Sequence, residues 1–176
     1  MTTAAHDALM THFRWEGGHA DMWRVFADAE AFAAVLDGLV EPWRGRGVTR
    51  VVGIESRGFV LGGATAVALG VGFVAIRKPG GLLPEPKHVV DSDADYRGRR
   101  HQLRMQGVLS PEDRVVLVDD WAEQGSQAWA ARRLVESAGA TFLGVAPLVD
   151  QLPAAARGRL GDVTAVARAE ELGPAR

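Results

Sequence analysis

Apolar residues recur at Ala31, Phe32, Val35, Leu36, Leu39 and Val40, the spacing of one helix face. Asp28 stands just before them as an N-cap and Glu30 falls in the first turn, while Pro42 and Gly45 mark the end. The period then changes. Residues 49–54 (TRVVGI) form a short β-branched run, read as a strand. Residues 58–70 (GFVLGGATAVALG) are small and apolar all round, which suits a helix lying close on a sheet. A second strand is expected at 72–76 (GFVAI), a third at 114–118 (RVVLV) and a fourth at 141–148. A helix over 126–137, closed by Gly139, separates the last two. Strands alternating with helices imply right-handed crossovers and a mostly parallel central sheet flanked by helices, an α/β fold. Between Pro79 and Pro111 the periodicity dissolves into Pro, Gly and charge. A connection of that length inside one domain is read as a flexible hood or lid.

The chain has 176 residues and 47% apolar content, which fits a single domain over 1–176 with a real core. A net charge of −2 gives no global field for nucleic acid or an anionic membrane. The absence of cysteine excludes disulfides and thiolate metal sites. The five histidines lack metal-binding spacing. No apolar run approaches the ~20 residues of a membrane span. The beginning, MTTAAHDALMTHF, is unlike a signal peptide, so a cytoplasmic protein is expected.

Open parallel sheets bind ligands beyond the carboxyl ends of their strands, and three such ends are unusual. Glu55-Ser56-Arg57-Gly58 puts an arginine at a helix start, where backbone amides and the helix dipole add to its charge. As an isolated motif it equally describes a surface turn. Arg77-Lys78 ends the next strand with two cations, which alone reads as a basic surface loop. Asp119-Asp120 ends the third. Adjacent carboxylates repel, so a cation, a metal or hydroxyl donors must compensate them. A vicinal diol offers two donors at that spacing. The loop that follows, Glu123-Gln124-Gly125-Ser126-Gln127, opens a helix whose amides can hold a phosphate. The bland alternative is an Asp cap on an ordinary turn. Together the three ends describe a ligand with a diol, one phosphate and a second, more highly charged phosphate group: 5-phosphoribosyl 1-diphosphate (PRPP).

These motifs resemble those of the type I phosphoribosyltransferases, and within them the adenine phosphoribosyltransferases. VVGIESRGFVLGGATAVALGVGFVAIRKPG, RVVLVDDWAEQGSQAWAARRLVESAGA, the lead-in GHADMWRVFADAEAF and the tail VTAVARAEELG fall in the family's order. The resemblance implies a Rossmann-like fold with a base-side lead-in over 1–27 and a hood over 79–111. It implies transfer of phosphoribosyl from PRPP to a purine-like base with release of diphosphate. Asp119 and Asp120 would bind the ribose hydroxyls, and residues 123–127 the 5-phosphate. Glu55, Ser56, Arg57 and Gly58, helped by Arg77 and Lys78, would hold the diphosphate. Mg²⁺ would ride on the diphosphate with few direct protein ligands. Asp95 and Tyr96 stand where the family has a Glu-Tyr pair whose acid protonates the purine. A homodimer is implied as well, with no nucleic-acid or membrane partner.

The chain departs from the family pattern at definite places. The family's Ala-Thr-Gly-Gly-Thr loop is Glu123-Gln124-Gly125-Ser126-Gln127 here, so both threonine hydroxyls are gone and a negative charge is added. Arg-Lys-Pro-Gly-Lys-Leu-Pro becomes RKPGGLLP. The hood is basic, with Arg97, Arg99, Arg100, His101 and Arg104, which either replace lost diphosphate contacts or form a solvated face. Phe-Arg-Asp-Ile, bordering the base, becomes His19-Ala20-Asp21-Met22. His19 either meets the heterocycle or is an ordinary loop residue. Trp15, Trp23 and Trp121 add aromatics near the site, and Trp121, next to the acid pair, is the one expected to face the ligand. Two rivals use the same residues: a non-catalytic PRPP or nucleotide-binding regulator, and an enzyme acting on a nucleotide in the reverse or hydrolytic direction. The retained cations and the long hood favour an enzyme over a regulator, while the same sites would serve either direction of reaction.

Overall fold

The computed structural model describes residues 3–85, 87–92 and 102–174. Its elements run α1 (Ala4–His12), β1 (Arg14–Glu16), β2 (His19–Asp21), α2 (Trp23–Ala27), α3 (Ala29–Val40), β3 (Arg50–Ile54), α4 (Arg57–Leu69) and β4 (Gly72–Arg77). Then follow β5 (Lys87–Asp91), β6 (Gln102–Gln106), β7 (Arg114–Ala122), α5 (Ser126–Ser137), β8 (Thr141–Asp150), α6 (Ala154–Arg157), β9 (Asp162–Val163) and β10 (Ala167–Arg168). Among these residues no helix is long and apolar enough to cross a membrane.

The main sheet has the order β10-β8-β7-β3-β4-β6-β5, with β9 also pairing β8. The inner pairs β3–β4, β3–β7 and β7–β8 are parallel, as are β8–β9 and β8–β10. In β7, Val115 and Leu117 face a cluster containing Ala131 and Leu134 of α5, while Val116 and Val118 face Leu9, Val35, Leu39 and Leu61 from α1, α3 and α4. Helices on both faces explain why the strand reads as an unbroken apolar run. Asp28 caps α3 as its sequence suggests, its side chain accepting from the Ala31 amide at 2.9 Å. The helix stops at Val40 and passes through a 3-10 turn at Glu41–Trp43. The small residues of α4 let it lie against β3 and β4: a Cβ on Gly62 would stand 2.8 Å from the Phe73 ring of β4 and 3.6 Å from the Gly53 backbone of β3.

The described parts of 79–111 are more ordered than their composition implies. β5 and β6 pair antiparallel, and β6 joins β4 antiparallel at the sheet edge. Leu103 and Met105 are buried there against the α5 side of the core. This part of 79–111 therefore extends the sheet.

Asp113, at the foot of β7, ties β7 to β3. Thr49 Oγ1 donates to one carboxylate oxygen at 2.8 Å and the Ser110 amide to the other at 2.9 Å. Burial works to raise its pKa, but the Ser110 amide, the Thr49 hydroxyl and the Arg50 charge outweigh it and hold it below the ordinary value of 3.8. Asp113→Ala takes the acceptor from three half-buried donors, the Thr49 hydroxyl and the Ser110 amide and hydroxyl, and should cost about 1–3 kcal/mol in denaturant unfolding. A carboxyl with a depressed folded pKa stabilises above its unfolded pKa and loses that contribution as pH falls through the folded one. The deficit of the variant is therefore expected to shrink as pH drops below 3.8. A deficit independent of pH in that range would contradict the assignment.

Candidate active site

The carboxyl ends of β3, β4, β7 and β8 open on one cavity of about 570 Å³. The paired acids stand in its floor. They lie inside β7, not after it, because the ladder with β8 continues through Trp121↔Val149 and Ala122↔Asp150. Asp120 is buried and faces Arg57, with Nη2 2.9 Å from Oδ2. That contact is an ion pair by distance, and no hydrogen bond reaches the oxygen. Asp119 accepts from the Asp120 amide at 2.9 Å. Burial, and then the Asp120 charge, push the Asp119 carboxyl well above its ordinary range, while Lys78 pulls it back in part. The two like charges are thus held by different means, one by an arginine and one by retaining its proton to higher pH.

The loop after β7 lines the cavity from Glu123 to Gln127. Gly125 precedes α5 with φ +77 and makes no side-chain cap. Its left-handed backbone and its surroundings both require glycine, since a Cβ would stand 3.0 Å from Leu152 and 3.1 Å from Ala156. The start of α5 therefore presents backbone amides to the cavity, beside the Ser126 and Gln127 side chains. Glu123 shares this wall, so its carboxylate belongs to the electrostatics of the loop.

Across the cavity, Glu55, Ser56 and Arg57 form the turn from β3 into α4, with a cis peptide between Glu55 and Ser56. Gly58 brings α4 close to the acids: a Cβ there would be 3.1 Å from Asp119 Oδ1. The two cations at the end of β4 separate. Lys78 lines the cavity. Arg77 does not: its Nε pairs with Glu55 Oε2 at 3.0 Å and its Nη1 donates to the Leu82 carbonyl at 3.0 Å. The other Glu55 oxygen accepts from the Lys78 amide at 2.7 Å. Glu55 and Arg77 thus form a strut that joins two strand ends. Arg104 is also a strut, donating to the Lys78 and Gly81 carbonyls at 2.9 and 3.4 Å. Asp95, Tyr96, Arg97, Gly98, Arg99, Arg100 and His101 lie outside the described residues.

The β1–β2 hairpin closes the remaining side with Trp15, His19 and Ala20. Arg57 Nη1 donates to the Ala20 carbonyl at 3.1 Å, so one guanidinium links the hairpin to the acid pair. Trp121 lines the cavity and packs against Trp15 and Phe13, with ring centroids 5.7 and 6.2 Å away. Trp23 is elsewhere, 54% exposed and paired with Phe26. Gln151 is a wall residue that the sequence reading passes over. It follows β8, the fourth parallel strand, and the rule that singles out the other three strand ends applies equally to that one. Among the described residues, no group of three or more His, Asp or Glu is placed to hold a metal ion by itself.

No protein-family model matches the chain. The adenine phosphoribosyltransferase of Corynebacterium efficiens is 39% identical over 143 residues, spanning 81% of this chain and 74% of that protein. The crystal structure of adenine phosphoribosyltransferase from Rhodothermus marinus superposes with a TM-score of 0.81 at 32% identity, covering 93% of this chain and 98% of that one. The enzyme from Giardia lamblia complexed with 9-deazaadenine gives 0.82 at 30% identity, covering 96% and 98%. At this identity and coverage the chain belongs to the adenine phosphoribosyltransferase family.

Proposed function

We propose that the protein transfers the 5-phosphoribosyl group from PRPP to a ring nitrogen of a purine-like base, releasing diphosphate. The observation that carries this reading is the floor of the cavity. Asp119 and Asp120 stand one loop before the open amide start of α5 and opposite Arg57 and Lys78. A ribose laid over the acids places its 5-phosphate at residues 123–127 and its diphosphate toward Arg57 and Lys78. The base then lies between the β1–β2 hairpin and Trp121.

In this reading the C1–O bond to diphosphate breaks and the C1–N bond forms, while the base nitrogen gives up a proton. Positive charge develops on the sugar ring as the leaving group departs. Arg57, Lys78 and the start of α4 hold the charge on the diphosphate. The carboxylates fix the ribose hydroxyls, and the walls orient the base and exclude water. Asp95 and Tyr96 are proposed for proton transfer at the base. Mg²⁺ would be held mainly through the diphosphate and ribose oxygens of PRPP, which fits a site where no group of three or more His, Asp or Glu among the described residues is placed to hold a metal by itself. When bound, Mg²⁺ supplies charge neutralisation on the diphosphate. We further propose a single domain over 1–176 that works as a cytoplasmic homodimer.

The test is calorimetric titration with PRPP, with and without Mg²⁺, followed by an assay of diphosphate release with adenine. Saturable binding that strengthens with Mg²⁺, and diphosphate release that needs the base, are the expected results. A titration without heat under both conditions would overturn the reading.

A further inference from the structure

We propose that the Asp150–Arg157 ion pair positions the phosphate loop: it holds α6 as a back wall behind Gly125, and breaking it weakens the grip on the 5-phosphate while the diphosphate end of the cavity is spared. This rests on the reading above that residues 123–127 hold the 5-phosphate. Gly125 lies against three residues that follow β8. A Cβ on it would stand 3.0 Å from Leu152, 3.1 Å from Ala156 and 3.5 Å from Leu160. Leu152 and Leu160 are themselves buried in the core on the α5 side. The place of the loop is therefore set from behind by the segment 150–160. The Gly125 carbonyl accepts from the Trp129 amide at 2.8 Å at the start of α5. A displaced glycine would carry the open amides of that helix start with it.

The segment 150–160 is fastened at three places. At its start the Gln151 amide donates to the Ala122 carbonyl at 2.8 Å, and the Leu152 amide to Asp150 Oδ1 at 2.9 Å. At its end Arg132 Nη1 donates to the Arg159 carbonyl at 2.7 Å, and the Arg159 guanidinium lies 4.1 Å over the Trp129 ring. Between these ends stands α6, a single turn too short to hold itself. Three of its four residues are alanine, so Arg157 carries its only polar side chain. That side chain pairs with Asp150, buried at the end of β8. One carboxylate thus takes the Leu152 amide on one oxygen and Arg157 on the other, and fixes both ends of the stretch that carries Leu152 and Ala156. Neither Asp150 nor Arg157 faces the cavity of the acids. Both line a second cavity of about 360 Å³ that shares no residue with the first. They are positioning residues that act on Gly125 through Leu152 and Ala156.

The experiment titrates ribose 5-phosphate and, separately, inorganic diphosphate with Mg²⁺ into the unaltered protein, Arg157→Ala, Asp150→Asn, Arg157→Lys and the double variant Asp150→Asn with Arg157→Ala. Arg157→Ala should weaken ribose 5-phosphate roughly tenfold or more, the effect of a cradle no longer held to a fraction of an ångström, and leave diphosphate within about twofold. Asp150→Asn still accepts from the Leu152 amide but lacks the charge for Arg157, and should give the same selective loss. The double variant leaves no charge buried without a partner, so its folding is spared, and it should bind no more weakly than either single variant because one pair is lost once. Arg157→Lys restores the charge and should recover most of the affinity. In turnover the weakened variants should show a raised KM for PRPP with little change in kcat. Equal losses for ribose 5-phosphate and diphosphate would mark a general structural role and overturn the proposal, as would unchanged ribose 5-phosphate affinity in the double variant. Both of those results leave the transferase reading standing. An unaltered protein that binds neither ligand would overturn both.

Discussion

Replacing both floor acids, Asp119→Asn with Asp120→Asn, is expected to lower PRPP affinity by roughly 10–10³-fold, the loss of one charge-assisted hydrogen bond at about 1.5–3 kcal/mol and of one neutral hydrogen bond at about 0.5–1.5 kcal/mol. The measurement is the same calorimetric titration. A damaged fold would also lose binding, but stability separates the two explanations. Asp119 is held well above its ordinary pKa by burial and by Asp120. Its unfolded form releases a proton at a lower pH than the folded form does. Stability therefore falls as pH rises from the unfolded pKa through the folded one. Asp119→Asn removes that fall, so the single variant should be more stable than the parent at neutral pH while binding PRPP more weakly. Such an exchange of function for stability is the signature of a residue retained for its ligand. PRPP affinity unchanged in the double variant would refute the diol assignment.

The four inner strands are legible because burial on both faces leaves each as an apolar run. Their far ends are less so. β7 extends to Ala122 through main-chain pairing with β8, and Asp119, Asp120 and Trp121 carry no strand signature of their own. β5 and β6 fail for a related reason. Gln102–Gln106 does alternate, with Leu103 and Met105 inward, but five residues amid Pro, Gly and charge become a strand by pairing with β5 and with β4, which is distant in sequence.

The site divides along the same line. The acid pair, the glycine loop and the open start of α5 sit within nine residues, from Asp119 to Gln127, and local order is enough to read them. What each cation does depends on partners far along the chain. Arg77 resembles a ligand contact in sequence, yet Glu55, 22 positions earlier, takes it as a strut. Gln151 has no distinguishing neighbours in sequence and joins the cavity wall beside Trp121, 30 positions before it, whose indole donates to its side chain. Chemistry written in adjacent residues survives in the sequence, while chemistry set by the meeting of strand ends does not.

Arg57 is where those distant partners converge, and Arg57→Ala is expected to reduce kcat/KM by roughly 10²–10³-fold, the loss typical of one donor to a developing charge. The guanidinium stands 2.9 Å from Asp120 Oδ2 and 3.1 Å from the Ala20 carbonyl. It therefore couples the acid pair to the β1–β2 hairpin. A ribose hydroxyl bound to Asp120 competes for that carboxylate and frees the arginine to turn toward the diphosphate, so the two ends of PRPP should assist each other. Arg57→Lys keeps the charge but lacks the planar fork needed to span both contacts. It should recover part of the diphosphate interaction and little of the link to the hairpin. The split between kinetic constants then identifies the role. An arginine acting on the departing diphosphate depresses kcat when removed, whereas loss of one that only holds the hairpin raises KM for the base and leaves kcat in place. Kinetics with both substrates varied would show which holds, and a kcat/KM unaffected by Arg57→Ala would remove this residue from the mechanism.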